Sequence, residues 1–298
     1  MHSDILASKE DNPMTQLNLP NEPFKAVAEF VDLREKLEER SVAEPPSGRW
    51  AYRGQPRAFG SLTPSFQRQF SKQSSGTARL IEGNLIQAFR KHYATLRDRS
   101  TDMPRPEQIA PGHDLRCLSV MQHYEIPTRL LDWTADFWTA LYFACSNDPA
   151  DNAELWFYDR ELFTQQRFSM PSLAALVDPS PNPPDELPFL TNADGMIVEL
   201  DPQISPRMRE QFAHHTVSTD VFSDHALLLR KLDSESPPTD DQQVQRVHRI
   251  LIDAACKAKA LQFLDGTMRV NAGTIFPDVV GLGRFLRWHF DSLRTMML

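Results

Sequence analysis

Cysteine is scarce: Cys117, Cys145 and Cys256 are the only three in 298 residues, they stand far apart, and each falls inside an apolar pattern. No two have the spacing of a zinc knuckle or a disulfide framework, so they read as small buried hydrophobes. Long hydrophobic runs are missing as well. Nowhere do about 18 apolar residues follow one another, and the opening MHSDILASKEDNPMTQ has no apolar stretch of signal-peptide length, which points to a soluble, cytoplasmic protein without a membrane partner. Positive charge is in deficit: 32 Lys and Arg against 40 Asp and Glu give a formal net charge of −8. Nonspecific nucleic-acid affinity comes largely from clustered cations, so no extended nucleic-acid-binding surface is expected, although a local basic pocket is compatible with the total.

Several catalytic signatures are absent. There is no glycine-rich phosphate loop followed by Lys and Ser or Thr, and Gly281-Leu-Gly283 is too short for a dinucleotide fingerprint. No HExxH helix occurs, and Ser119 lies in a helix pattern rather than in a Gly-x-Ser-x-Gly elbow. His214 and His215 are adjacent; neighbours point opposite ways in a strand and about 100° apart in a helix, so they do not make a joint metal site, and no metal is expected.

What is present suffices for one large domain. Hydrophobic residues at 41% and aromatics at 9% exclude a disordered chain. Residues 1–20 read as a disordered tail and 21–44 as an N-terminal helix with Phe24, Val27, Phe30, Val31, Leu33 and Leu37 at helical spacing. Arg49–Gly54 has strand character, and its period of two puts Trp50 and Tyr52 on one face and Arg53 on the other; Gly54 lets a backbone or ligand come close. A helix over 77–97 carries Leu80, Ile81, Leu85, Phe89, Tyr93 and Leu96 as its apolar stripe. Asp114 caps a helix reaching Tyr124, and Asp132 or Thr134 caps a further one reaching Cys145. Strands are expected at 154–159, 196–200 and 226–230, an irregular insertion at 170–190, an acidic linker at 233–243, and a C-terminal completion of the same domain over 244–298, in which a strand, an Ala/Lys-rich helix ended by Gly266 and a last helix from 277 to 293 are read.

The densest feature is CLSVMQHYEIPTRLLDWTADFWTALYFA, residues 117–144. Gln122, His123, Tyr124, Thr128, Arg129, Asp132, Trp133 and Thr134 crowd between two apolar helix patterns, and Pro127 biases Ile126 away from helix, so the cluster is expected on an extended turn. Burying Arg129 and Asp132 beside Trp133 costs several kcal/mol per ion, by order of magnitude, unless they are paired or bind something. The segment is therefore either an Arg129–Asp132 clasp between a strand and a helix or a binding site.

Tyr52-Arg53-Gly54-Gln55, then Leu62-Thr-Pro-Ser65 with Arg68, Glu82 and Phe89, then Met121-Gln-His-Tyr124 with Pro127-Thr-Arg-Leu-Leu-Asp-Trp-Thr134, and Ala140-Leu-Tyr-Phe-Ala144, resemble an FRG domain. The name comes from a Phe-Arg-Gly motif, here Tyr-Arg-Gly. The resemblance covers about residues 45–160, with weaker matches at Arg207–Phe212 and Ile275–Asp278, and the domain is expected over 45–232. Its layout is similar to that of ADP-ribosyltransferases. This implies an α+β fold with a mixed β-sheet core and flanking helices, and NAD as substrate, from which ADP-ribose passes to an unknown protein or nucleic-acid acceptor or to water. A place in toxin or phage-defence systems is also implied.

By this resemblance Arg53 takes the NAD-anchoring position and Thr128 or Thr134 the second; no clean Glu motif fills the third, for which Glu210-Gln211 is the candidate with Glu199 behind it. A diphosphate needs fixed cationic donors, and guanidinium forks supply them, so Arg53 and Arg129 fit, with Gly54, Gln55 and Asp132 beside them. Asp132, Glu210 or Gln211 can stabilise the positive ribose, His123 can take a proton, and Tyr124 and Trp133 can stack on a base. Two other readings stand: a module that binds a nucleotide or peptide without turnover, and a purely architectural cluster.

Overall fold

The computed structural model describes residues 17, 19–39, 48–96, 103–163, 195–200, 208, 210–235 and 245–296. The insertion read at 170–190 and most of the tail and of the acidic linker lie outside these; Leu17 and Leu19, from the end of the expected tail, pack on the core, and 233–235 belong to a helix.

The fold is α+β around one six-stranded sheet. In chain order its strands are β1 (Trp50–Gln55), β2 (Leu130–Thr134), β3 (Ala153–Asp159), β4 (Ile197–Leu200), β5 (Ala213–Ser218) and β6 (Val247–Ile252), arranged β4-β5-β2-β1-β3-β6. Every ladder is antiparallel. The expected mixed sheet is thus replaced by an antiparallel one; the parallel pairing among the described residues is an isolated bridge, Phe24 to Ile252, which lays the N-terminal segment along the β6 edge.

Side chains alternate across the strands as the period of two requires. One face carries Trp50, Tyr52, Leu155, Phe157, Ile250 and Ile252, covered by α1 (Val27–Glu39), α5 (Phe137–Cys145) and α7 (Ala254–Phe263). Further along that face Leu130, Val198, Leu200 and Val217 are covered by α3 (Ser75–Thr95), which follows the short α2 (Ser65–Phe70) in the chain, and by α4 (Asp114–His123). The other face, with Ala51, Leu131, Trp133, Trp156 and Tyr158, is packed by Leu62 and by Ala226 and Leu229 of α6 (His225–Glu235). The first face therefore has two separate helical covers, and the sheet centre lies between them.

Four details differ from the sequence reading. The cluster expected on a turn contains a strand at the sheet's centre, β2, because Leu130, Leu131 and Trp133 are all buried and the two-residue alternation outweighs the helix patterns flanking it. The helix after it is capped by Asp136, whose Oδ2 accepts from Thr139 N at 2.7 Å. Ala226–Arg230, read as strand, belongs to α6; a short apolar run has no period that separates helix from strand. On α3 the buried face is Ala78, Glu82, Ile86 and Tyr93, and Leu80 and Leu96 are exposed.

Gly54 has a definite steric task. A Cβ there would stand 2.0 Å from the Ala140 carbonyl oxygen and 2.5 Å from Ala144 N, so its bareness lets α5 lie directly on β1. Lys257 of α7 is buried, and its ammonium lies 2.7 to 3.1 Å from the carbonyls of Pro56, Asn147, Asp148 and Asp151. It binds the end of β1 to the end of α5 as a bound cation would.

Candidate functional site

Between the two helical covers lies a cleft of about 450 Å³, floored by β1, β2 and β5 and walled by α4 and α5. Arg53, Gly54, His123, Asp132, Trp133, Thr134 and Gln211 from the sequence-derived set line it, joined by His215. The strand alternation explains the floor: Asp132 is in register with His215 and Thr134 with both Tyr52 and Ala213, so these residues share the face that carries the two helical covers.

Arg53 belongs by alternation to the opposite face, yet it reaches the cleft through a fork in the sheet. β1 makes six registered pairs with β3, whereas its ladder with β2 holds one, Tyr52 with Thr134. Continuing that register would set Gly54 against Asp132. The strands part instead, and the Asp132 carbonyl accepts from Arg53 Nη1 at 2.6 Å. Arg53 Nε is buried without a hydrogen-bond partner, and no carboxylate lies within ion-pairing distance of this guanidinium among the described residues. Burial holds its pKa below the usual value against the pull of Asp132, and Arg68 lowers it further. A desolvated cation with this little compensation favours an incoming anion.

Asp132 is the opposite case. Its Oδ2 accepts from Gln122 Nε2 at 2.9 Å and its Oδ1 lies 3.0 Å from His215 Nδ1. Gln122 is itself fixed, because Thr128 Oγ1 donates to its Oε1 at 2.6 Å. Burial raises the Asp132 carboxyl, but His215, Arg53 and Gln122 outweigh it and bring the pKa down to about 2. The side chain is 52% exposed to the cleft, so it presents a full negative charge there near neutrality. His215 is 2% exposed, and its Nε2 has no hydrogen-bond partner among the described residues.

The remaining candidates separate into rim and frame. His123 lines the cleft edge, with the ring of exposed Tyr124 edge-on at 5.2 Å; Tyr124 is not a lining residue. Thr134 Oγ1 donates to Gln211 O at 2.6 Å and accepts from Asp136 N at 3.0 Å. Gln211 lines the cleft with its amide turned to Ile275 O at 3.2 Å. Next to it Phe212 is 62% exposed with φ of 46°, a conformation uncommon for a bulky residue.

Arg129, expected beside Arg53 as a second diphosphate donor, is not a cleft residue. It is buried away from the cleft, its Nε donating to Glu82 Oε1 at 2.8 Å, its Nη2 to Glu82 Oε2, and its Nη1 to the carbonyls of Ser218 and Thr219. It clasps α3 to the central strands, and its carboxylate partner is Glu82, not Asp132. Gln55 is likewise frame, donating to Glu154 Oε1 at 2.6 Å and to Ser61 O at 2.9 Å. Thr128 is buried and serves Gln122. Trp133 is core, with Nε1 donating to Thr216 Oγ1 at 2.9 Å and its ring edge-on to Tyr158, so it offers no stacking face.

Neither Glu candidate is a cleft group. Glu210 is exposed and does not line it. Glu199 projects from the other face, where Arg160 grips both its oxygens and Tyr158 donates to Oε1 at 2.9 Å. His214 joins that buried group, 3.4 Å from Glu199. His215 is the lining residue that sequence reasoning set aside; the strand alternation of AHHTVS was the available signal, since it sends the two histidines to opposite faces.

Residues 48–153, from β1 through α5 to the start of β3, match the family model of the FRG domain. No curated protein and no solved structure matches the chain. Among the described residues no helix is long and apolar enough to cross a membrane, and no group of three or more His, Cys, Asp or Glu side chains has the arrangement of a metal site.

Proposed function

We propose that the cleft binds NAD and acts on the bond between ribose and nicotinamide, passing ADP-ribose to an acceptor protein or nucleic acid or to water. The observation that carries this reading is the meeting, in one cleft, of a guanidinium without a carboxylate partner, Arg53, and a carboxylate held ionised, Asp132. Arg53 receives the diphosphate through paired N–H donors. As the C1′–N bond breaks, the electron pair leaves with nicotinamide, positive charge builds on the ribose, and the Asp132 carboxylate stabilises it. The acceptor oxygen or water then bonds to C1′ and gives its proton to His123 at the cleft edge. His215 and Gln122 hold Asp132 in place. Asp132 thus fills the part that neither Glu210 nor Glu199 can take.

Release of nicotinamide from NAD by the purified protein, compared with Arg53→Ala and Asp132→Asn, tests this. Release by the wild type, at least about a hundredfold slower in Asp132→Asn, is the expected result, in line with loss of a charge that stabilises a transition state. Background release by the wild type with every acceptor tried would reject turnover.

A second reading, a nucleotide-binding module without turnover, is favoured by the position of Glu199 and Glu210 outside the cleft. It predicts a rise in melting temperature with NAD or ADP-ribose and no nicotinamide.

A further inference from the structure

A second cleft, of about 550 Å³, borders the first at Glu125, Phe143 and Asn147, which line both. Its other wall is the C-terminal part of the chain, α8 (Ala272–Ile275) and α9 (Val279–Met296) with the turn preceding them. Its chemistry differs from that of the first cleft. Tyr142, Phe285 and Trp288 supply aromatic surface. Arg284 sits with its guanidinium 5.0 Å from the Phe276 ring centroid, and no carboxylate lies within ion-pairing distance of it among the described residues. Asp265 accepts from Asn271 Nδ2 at 2.8 Å through Oδ1 and has no partner on Oδ2 among the described residues.

Aromatic walls, one uncommitted cation and one uncommitted acceptor are the complement of a flat ring that carries an N–H donor and an anionic tail. We propose that this second cleft is a binding site for an amino-bearing nucleotide: the base lies among Tyr142, Phe285 and Trp288, its exocyclic amino group donates to Asp265, and its phosphate meets Arg284. The site stands whether or not the first cleft turns over NAD, because none of these five residues lines the first cleft. The source of the nucleotide is either a free mononucleotide or one half of a dinucleotide reaching across Phe143 and Asn147.

Titration calorimetry of the full chain with adenosine monophosphate, and with inosine monophosphate in which a carbonyl replaces the amino group, tests the site. Saturable adenosine monophosphate binding is expected, weakened at least about tenfold in Arg284→Gln, as loss of a charge-assisted contact implies. Inosine monophosphate binds more weakly than adenosine monophosphate to the wild type, and the difference disappears in Asp265→Ala. Arg53→Ala changes the affinity less than about twofold. Both replaced side chains lie on or near the surface, so unchanged melting curves separate lost contacts from lost fold. Absence of saturation at millimolar nucleotide, wild-type affinity in Arg284→Gln, or loss of binding in Arg53→Ala alone would each overturn the assignment. Competition by NAD against adenosine monophosphate that requires Arg53 places the nucleotide as half of a spanning ligand, and competition independent of Arg53 places it as a free mononucleotide; both uphold the site.

Discussion

Arg129 and Arg53 carry the same group into the same central strands under opposite circumstances. Arg129 meets a carboxylate in a two-pronged pair and two carbonyls besides, all of it buried. Arg53 meets one carbonyl, has a buried Nε without a partner, and faces a cleft. The first arrangement satisfies a charge and fixes α3; the second leaves a charge under-compensated where a ligand can reach it. The difference shows that an arginine's role in this domain is decided by its partners and not by its place in a motif, since both belong to the block that resembles the FRG family.

Glu82→Ala strands the buried Arg129 charge and is expected to cost about 3–5 kcal/mol in chemical denaturation; a loss below about 1 kcal/mol would mean that the clasp is ornamental. Gly54→Ala drives a methyl into the α5 backbone and is expected to cost about 1–3 kcal/mol, or more if α5 cannot shift, with nicotinamide release falling as the cleft wall moves. Arg53→Ala removes one hydrogen bond, so its stability cost should stay below about 1.5 kcal/mol while NAD binding falls at least about tenfold. That split, small in stability and large in binding, is the mirror image of the Glu82 result.

Acid sharpens the same contrast. Burial pulls His225 from 6.5 down to about 3 and His214 down to about 4. Thr216 accepts from Trp133, so its hydroxyl proton is left to donate to His225 Nδ1 at 2.8 Å, which suits a neutral ring. Below pH 6.5 the unfolded histidines bind protons that the folded ones refuse, so stability is complete above that pH and falls as pH drops toward 4 and 3. Asp132 has the depressed carboxyl, whose contribution is present above its unfolded value of 3.8 and fades only as pH falls toward about 2. Melting temperature measured against pH should begin to decline just below 6.5, and His225→Gln should flatten that limb. A decline that starts only below pH 4 would assign acid sensitivity to carboxylates instead.

Much of this domain was legible in its residues because the relevant signals are local. The period of two in Trp50-Ala-Tyr-Arg53 placed the aromatics and the arginine on opposite faces, and the helical spacing of Phe30, Leu33 and Leu37 marked the face of α1 that the core buries. The strand followed by helix over 247–263 was likewise readable, down to the Ala/Lys-rich composition of α7. What escaped depends on register between distant segments. Arg129 and Asp132 are three residues apart and invite pairing, yet a strand sends residues at odd spacing to opposite sides, and the partner of Arg129 comes from 47 residues upstream. The fork that admits Arg53 exists because one ladder stops after a single pair, and no local pattern encodes that. His215 was missed because AHHTVS carries too little apolar signal to announce a central strand.

In the proposed function Arg53 is an open anion anchor, whereas Arg129 is a closed structural pair. Calorimetric titration of NAD into the wild type and into Arg53→Ala, with the melting temperature of each recorded alongside, tests it most directly. Saturable binding by the wild type, weakened at least about tenfold in the variant at nearly unchanged melting temperature, is the result the account predicts. Equal NAD affinity in the two proteins, or no NAD binding by a wild type that is fully folded, would contradict it.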